Sequence, residues 1–254
     1  MVLYLIGIGL KPEHITLEAL HALEECEEIY LETYTSAFAE GDLKGLKKAI
    51  GGKKINLLER AQAEEEFAQS IMPNAKKENI ALLVFGAPLF ATTHIQLLID
   101  AKALKVKTQV VQGISVQNFL PETGLDAYKF GRVATIVAPE ENYAPESFYE
   151  IIENNFANGL HTLCLLDIKS DFGALLTVAE ALQILSEIEE RKSKNILRRA
   201  LLVGIAGMGS KRQKIAIGNA MELADFQKAP LPQSLIICGK LNEKENEAIG
   251  ALYG

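Results

Sequence analysis

The sequence predicts an α/β protein, and three observations carry that expectation. Short β-branched apolar runs alternate with longer stretches of helical periodicity along most of the chain, the pattern of βαβ units with largely parallel strands. Glycines lie at the ends of several of the apolar runs, as in Ile6-Gly7-Ile8-Gly9, Phe85-Gly86 and Val111-Gln112-Gly113, where a strand feeds a loop. The third is bulk: 254 residues, 48% hydrophobic and 23% charged, suit one large domain or two smaller ones and exclude disorder, collagen and coiled coil.

Taken in chain order, strands are predicted at Val2–Ile6, Glu28–Leu31, Lys54–Leu57, Ala81–Phe85 and Lys107–Val111, then at Arg132–Val137, Thr162–Leu166, Leu201–Ala206 and Leu235–Ile237. Between the first two, Thr16 is placed to cap a helix carrying Leu17, Leu20 and Leu23 on one face. Thr92 or Thr93 is placed to cap another with Ile95, Leu98 and Ile99. After Pro145, Phe148, Ile151, Ile152 and Phe156 recur at helical spacing, and Ala174 to Lys192 reads as a long amphipathic helix. The interval Gly113 to Gly131, with Pro121 and Gly124, offers no clean strand. A boundary is expected there, giving an N-terminal α/β domain over 1–115 and a C-terminal one over 116–254.

Composition narrows the function. Lys plus Arg number 26 against 33 Asp plus Glu, a net charge of −7, which disfavours nucleic-acid binding of the bulk electrostatic kind. The longest apolar runs, such as Ile80 to Phe85, fall far short of the ~20 residues a membrane-spanning helix needs. Val2 to Leu10 has no Lys or Arg before it and runs into Lys11-Pro12-Glu13, which is not a secretory pattern, so a cytoplasmic location is expected. Cys26, Cys164 and Cys238 are read as buried reduced thiols, and the spacing of His14, His21, His94 and His161 matches no metal motif. No metal is assigned. The basic clusters Arg191 to Lys194 and Lys211 to Lys214 read as solvated helix ends and loops, with a docking surface as the alternative.

Four strand exits are where chemistry could reside. Leu5-Ile6-Gly7-Ile8-Gly9-Leu10 permits close backbone approach of a ligand, but the third glycine of a dinucleotide fingerprint is absent. Phe85-Gly86-Ala87-Pro88-Leu89-Phe90-Ala91-Thr92-Thr93-His94 suits either a ligand at a sheet edge or plain helix capping. Val110 to Gln117 repeats the strand-glycine-serine pattern, and Leu163 to Lys169 delivers Asp167 as a cap or a site residue. There is no nucleophile elbow, Walker loop or paired-carboxylate spacing, so hydrolysis and phosphoryl transfer lack their parts.

Together the blocks Leu3 to Leu10, Tyr30-Leu31-Glu32-Thr33-Tyr34-Thr35-Ser36, Pro88 to His94, Thr123 to Arg132, Pro145 to Glu150, Gly159 to Leu163 with Asp167-Ile168, and Gly239-Lys240-Leu241 resemble the diphthine synthase family of the tetrapyrrole methylase superfamily. The resemblance runs from residue 3 to residue 241. It implies a two-domain tetrapyrrole methylase fold with the active site in the inter-domain cleft, a homodimer, and S-adenosylmethionine as methyl donor, released as S-adenosylhomocysteine. The acceptor it implies is the amino group of the 3-carboxy-3-aminopropyl side chain on the modified histidine of translation elongation factor 2, methylated to diphthine. Carried over by position, the cofactor residues are Leu10, Ala87, Phe90, Ser115, Val116, Leu166, Met208 and Gln233. Tyr34, Thr35, Ser36, Thr92, Thr93 and His94 are the polar candidates for positioning substrate, and no catalytic residue is assigned.

Several positions depart from the family pattern. Its Gly-Asp-Pro turn reads Gly86-Ala87-Pro88, its Pro-His-Ser-Leu reads Pro232-Gln233-Ser234-Leu235, Gly207 replaces Arg, and Asn242 replaces His. Ala87 thereby removes a carboxylate suited to the cofactor's ammonium group. Two other readings stay open: a superfamily methyltransferase for another acceptor, and a dimeric homologue that has lost catalysis.

Overall fold

The computed structural model describes residues 1–140, 143–169 and 174–254. Its chain forms two compact units, Met1–Asn118 and Phe119–Gly254. The first is built on a five-stranded sheet of β1 (Leu3–Gly7), β2 (Glu28–Glu32), β3 (Asn56–Leu58), β4 (Ile80–Val84) and β5 (Thr108–Val111), in the order β3-β2-β4-β1-β5. Every pairing in it is parallel. All five residues of β1 and of β4 are buried, as a parallel sheet covered on both faces requires. One face packs Tyr4, Ile6, Leu31 and Leu83 against α1 (Leu17–Glu24) and α2 (Leu43–Ala49). The opposite face packs Leu5, Leu82 and Val84 against Phe67, Met72 and Leu97, which come from the helical segments Gln62–Ile71 and Met72–Lys76 and from α3 (Ile95–Ala103).

Thr16 caps α1 as expected, its hydroxyl accepting from the Ala19 amide at 3.0 Å. Two helical faces differ from the sequence reading. Leu17 is exposed and Ala19, Ala22 and Leu23 turn inward, because small residues allow closer approach to the sheet. In α3 the N-cap position falls to His94 rather than to either threonine. Leu97 and Ala101 are buried there, while Ile95 and Ile99 are each 55% exposed.

The second unit holds a sheet of order β11-β10-β12-β7-β6, made from β6 (Ala134–Ile136), β7 (Thr162–Leu166), β10 (Leu202–Ala206), β11 (Lys214–Gly218) and β12 (Gln233–Ile237). Here the expectation of largely parallel strands fails. Only β6 and β7 run parallel, whereas β7-β12, β12-β10 and β10-β11 are antiparallel. The short connection from β10 to β11 is too brief for the crossover that a parallel return needs, so β11 turns back antiparallel, and β12, on the other side of β10, runs in the same direction as β11. Lys214 opens β11 instead of lying in a loop, its ammonium 5.6 Å from the centre of the Phe226 ring.

Around this sheet pack α4 (Ser147–Ala157), α5 (Val178–Lys192) and the short α6 (Ile196–Arg199), with Phe148, Tyr149, Ile152, Leu182, Leu185 and Ile196 in the core. The long helix starts at Val178, four residues later than predicted. Ala174 and Leu175 form β9 (Ala174–Leu175), paired with β8 (Ile168–Lys169), and Thr177 with Glu180 supplies a capping box at the true start. The C-terminal α7 (Glu243–Tyr253) has its own capping box from Asn242 and Glu245.

Candidate active site

At the carboxyl edge of the parallel sheet, the exits of β1, β4 and β5 meet backbone to backbone. A Cβ at Gly113 would lie 2.2 Å from the Gly86 carbonyl oxygen and 2.6 Å from the Gly7 carbonyl carbon, and one at Gly7 would lie 2.5 Å from the Gly86 oxygen. Only glycine fits at Gly7 and Gly113, which is the physical reason for the glycines after these strands. Gly9 and Gly86 then exchange backbone hydrogen bonds of 3.3 and 3.0 Å. The edge so formed lies outside the carboxyl ends of adjacent strands, where open α/β sheets take ligands.

Five of the cofactor residues suggested by the resemblance lie in these three exits. Leu10, Ala87, Phe90 and Val116 are half-buried and Ser115 is buried. The Leu10 amide donates to His14 Nδ1 at 3.3 Å and its carbonyl accepts from the Ala39 amide at 2.8 Å, so the loop is fixed on both sides. The Ser115 amide donates to Asn118 Oδ1 at 2.9 Å.

The other three lie in the second unit. Pairing of Ala206 with Gln233, and a 2.9 Å bond from the Gly207 amide to the Pro232 carbonyl, hold the Met208 loop beside the start of β12. Leu166 ends the neighbouring β7, whose Leu165 pairs with Ser234. The Gln233 side chain is consumed inside the unit. Its oxygen accepts from the Val178 amide at 2.8 Å, and its nitrogen donates to the Ala229 and Phe226 carbonyls at 3.0 and 3.4 Å. Helix α5 is capped by Thr177 rather than by Asp167.

A buried polar group lies at the same edge of the first sheet. Glu32 ends β2 with no exposed surface. Thr35 donates its hydroxyl proton to Glu32 Oε1, while Oε2 makes no hydrogen bond and lies 3.8 Å from His94 Nε2. His94 Nδ1 sits 3.1 Å from the Pro88 carbonyl oxygen; a carbonyl only accepts, so Nδ1 carries a proton. Thr92 donates to the same carbonyl at 2.9 Å. Burial pushes the Glu32 carboxyl up to about 7, against smaller opposing contributions from Thr35, the Arg60 guanidinium and the Phe85 backbone amide. Arg60 also lies over the Tyr34 ring, 5.4 Å from its centre. Sequence reasoning passed over Glu32. Its signal was a carboxylate ending an apolar strand immediately before the Thr-Tyr-Thr-Ser block.

Other blocks that carried the resemblance do structural work. Glu245 accepts from His161 Nε2 (2.7 Å), the Asp126 amide (3.0 Å), Lys129 Nζ (2.5 Å) and the Asn242 amide (2.8 Å). His161 Nδ1 accepts in turn from the Gly239 amide at 3.1 Å. Burial pushes the Glu245 carboxyl up, but these donors prevail and hold it at about 2. Among the described residues, no three His, Cys, Asp or Glu side chains gather to hold a metal ion, and no helix is long and apolar enough to cross a membrane.

The family described as Tetrapyrrole (Corrin/Porphyrin) Methylases matches residues 2–224. The diphthine synthase of Staphylothermus marinus is 38% identical over 245 residues, covering 94% of this chain and 89% of the relative. The chain belongs to the diphthine synthases, within the tetrapyrrole methylase family. The diphthine synthase of Methanocaldococcus jannaschii is 36% identical over 252 residues, covering 98% and 97% of the two chains. A crystal structure of diphthine synthase superposes with a TM-score of 0.88 at 26% identity, covering 99% of this chain and 96% of that one. Membership of this methyltransferase family fits a site built from strand exits: methyl transfer to an amine needs orientation and a deprotonated acceptor, with no covalent nucleophile on the protein.

Proposed function

We propose that this diphthine synthase transfers methyl groups from S-adenosylmethionine to the amino group of the 3-carboxy-3-aminopropyl histidine of translation elongation factor 2, as a cytoplasmic homodimer. The observation that carries the reading is the meeting of three glycine strand exits and a buried carboxylate at one edge of one sheet. The sulfonium donor supplies an activated methyl group, and everything else falls to the chain. Half-buried Leu10, Phe90 and Val116 with the Ser115 hydroxyl suit a nucleoside. Ala87 gives no carboxylate to the donor's ammonium, so backbone carbonyls of the turn take that role. The reading also includes Leu166, Met208 and Gln233, the last through its backbone because its side chain is already engaged. Tyr34, Thr35 and Ser36 with Thr92, Thr93 and His94 orient the acceptor side chain, which reaches in from a loop of the factor.

Calorimetry with S-adenosylhomocysteine and a methylation assay on the modified factor test this. Binding together with methylation is expected. A Thr93→Val, His94→Ala double variant is expected to bind S-adenosylhomocysteine normally and to methylate poorly. Binding without methylation by the parent would favour the lapsed homologue that Ala87 suggests, and methylation of a tetrapyrrole or of ribosomal RNA instead would overturn the acceptor.

A further inference from the structure

We propose that Glu32 and His94 share one exchangeable proton, and that the acceptor amine delivers its proton to this pair through the Thr35 hydroxyl before each methyl transfer. The inference rests on the amine-methylation reading above.

The tautomer of His94 is the starting point. Since Nδ1 donates to the Pro88 carbonyl, the neutral ring presents a lone pair at Nε2, and this atom lies 3.8 Å from Glu32 Oε2. Both side chains are buried, at 3% and 0% exposure. Two lone-pair atoms facing each other away from water repel unless a proton lies with one of them. The pair therefore has two one-proton forms, a carboxylic acid facing imidazole or a carboxylate facing imidazolium. It also has a proton-free form with net charge −1 that can accept. The groups around Glu32 are Arg60 after β3, itself over the Tyr34 ring, His94 ahead of α3, Thr35 in its own loop and the Phe85 backbone amide after β4. Burial favours the acid, while Thr35, Arg60 and the Phe85 amide favour the carboxylate, so both forms of Glu32 are within reach.

Position and chemistry agree. The registers Leu31 to Leu83 and Leu83 to Ile6 put the end of β2 level with the end of β1, two strands away. At about 4.8 Å per strand that is about 10 Å from the Gly7 exit, with the Gly86 exit of β4 between them. Alkyl amines are protonated near neutrality and have no free pair in that form. In the step proposed, an ammonium N–H bond breaks and its proton goes to Thr35 Oγ1, whose own proton passes to Glu32 Oε1. The freed nitrogen pair then bonds the methyl carbon while the carbon–sulfur pair leaves with sulfur, turning sulfonium into thioether. The pair returns its proton to solvent, so each added methyl releases one. Thr35 is the group at the amine, and Glu32 and His94 are positioning residues acting through it. A second methylation needs the same removal from the product ammonium, so the device serves repeated transfer.

The test uses the full chain and its Glu32→Gln and Glu32→Asp variants. A Gln amide can donate to His94 Nε2, so the first variant keeps the local structure. In the ligand-free protein, NMR titration of the His94 ring is expected to move to lower pH by at least one pH unit in Glu32→Gln, and a midpoint unchanged from the parent would overturn the pair. With the modified elongation factor, kcat of the parent is expected to rise with pH and level off near pH 7. Glu32→Gln should be slower by about 100-fold at pH 7 and climb with pH without levelling, with KM for S-adenosylmethionine unchanged. Glu32→Asp should recover at least part of the lost rate. An active parent whose Glu32→Gln variant keeps the same pH profile overturns the proton pair alone. A parent inactive on the factor at every pH overturns the functional reading, and this route with it.

Discussion

Replacing Glu32 by Gln should make the first unit more stable at pH 8 and leave it nearly unchanged below pH 4.5. The carboxyl is fully buried and its affinity for a proton is raised from 4.5 to about 7 on folding. Between those values the folded chain holds a proton that the unfolded chain has lost. Stability from the protonated carboxyl is thus complete below pH 4.5 and is lost as pH rises through about 7. The interval from 4.5 to about 7 covers about two and a half pH units, and at about 1.4 kcal/mol each the parent gives up about 3 kcal/mol. Gln does not ionise and keeps it. Amide hydrogen exchange of Leu31 and Leu83, which pair across β2 and β4, reads the opening free energy of this sheet directly. Comparable gains for the variant at pH 4.5 and pH 8 would show that Glu32 ionises as an ordinary carboxylate and would refute the burial argument. The variant combines greater stability with the slower turnover proposed above, the trade-off expected where a strained group serves chemistry.

Three other outcomes are expected. Ala87→Asp, in the turn held by Gly86 and Pro88, should tighten S-adenosylmethionine binding by about 1–3 kcal/mol in calorimetry, and an unchanged Kd would mean the site is organised without that carboxylate. Gly113→Ala forces a Cβ against the Gly86 and Gly7 backbones; urea unfolding should show a loss of about 1–3 kcal/mol together with weaker binding, and a wild-type midpoint would refute the close approach. Glu245→Gln leaves Lys129 and His161 without their shared carboxylate and should cost about 3 kcal/mol at pH 7. Because the Glu245 carboxyl is held at about 2, its contribution is complete above pH 4.5 and is lost as pH falls through about 2, so the variant and the parent should converge in acid.

Periodicity and punctuation reveal the first unit well, because its central strands β1 and β4 are continuous apolar runs that lead into glycine turns. Strand direction is not written in such runs. Leu202–Ala206 and Gln233–Ile237 read alike whether parallel or antiparallel, and the choice follows from the short β10 to β11 connection, which turns the chain back before β12 takes the direction of β11. Lys214–Gly218 escaped notice because an exposed lysine beside a basic cluster reads as a loop, whereas this one opens a strand with its ammonium over the Phe226 ring. Ile95 and Ile99 read as core, yet α3 turns Leu97 and Ala101 inward instead, since helical spacing fixes which residues share a face but not which face packs. Within the site, the glycines were visible, and so were Thr35 and His94. Glu32 was not, as its burial depends on Arg60, Phe85 and His94, each remote in sequence and brought together only by folding.

The place of β1 in its sheet has a consequence for biosynthesis. It is central, flanked by β4 and β5, and Leu3 pairs with Ile80 and Thr108. A ribosome makes β1 first and its second partner about a hundred residues later, so at about 5–20 residues per second this strand waits on the order of 5–20 s for both neighbours. Throughout that interval Leu3 to Gly7 emerges as an apolar segment with two unsatisfied edges, the kind of segment nascent-chain chaperones shield. In the second unit β10 meets β11 and β12 soon after it in sequence, whereas β7 waits about seventy residues for its antiparallel partner β12.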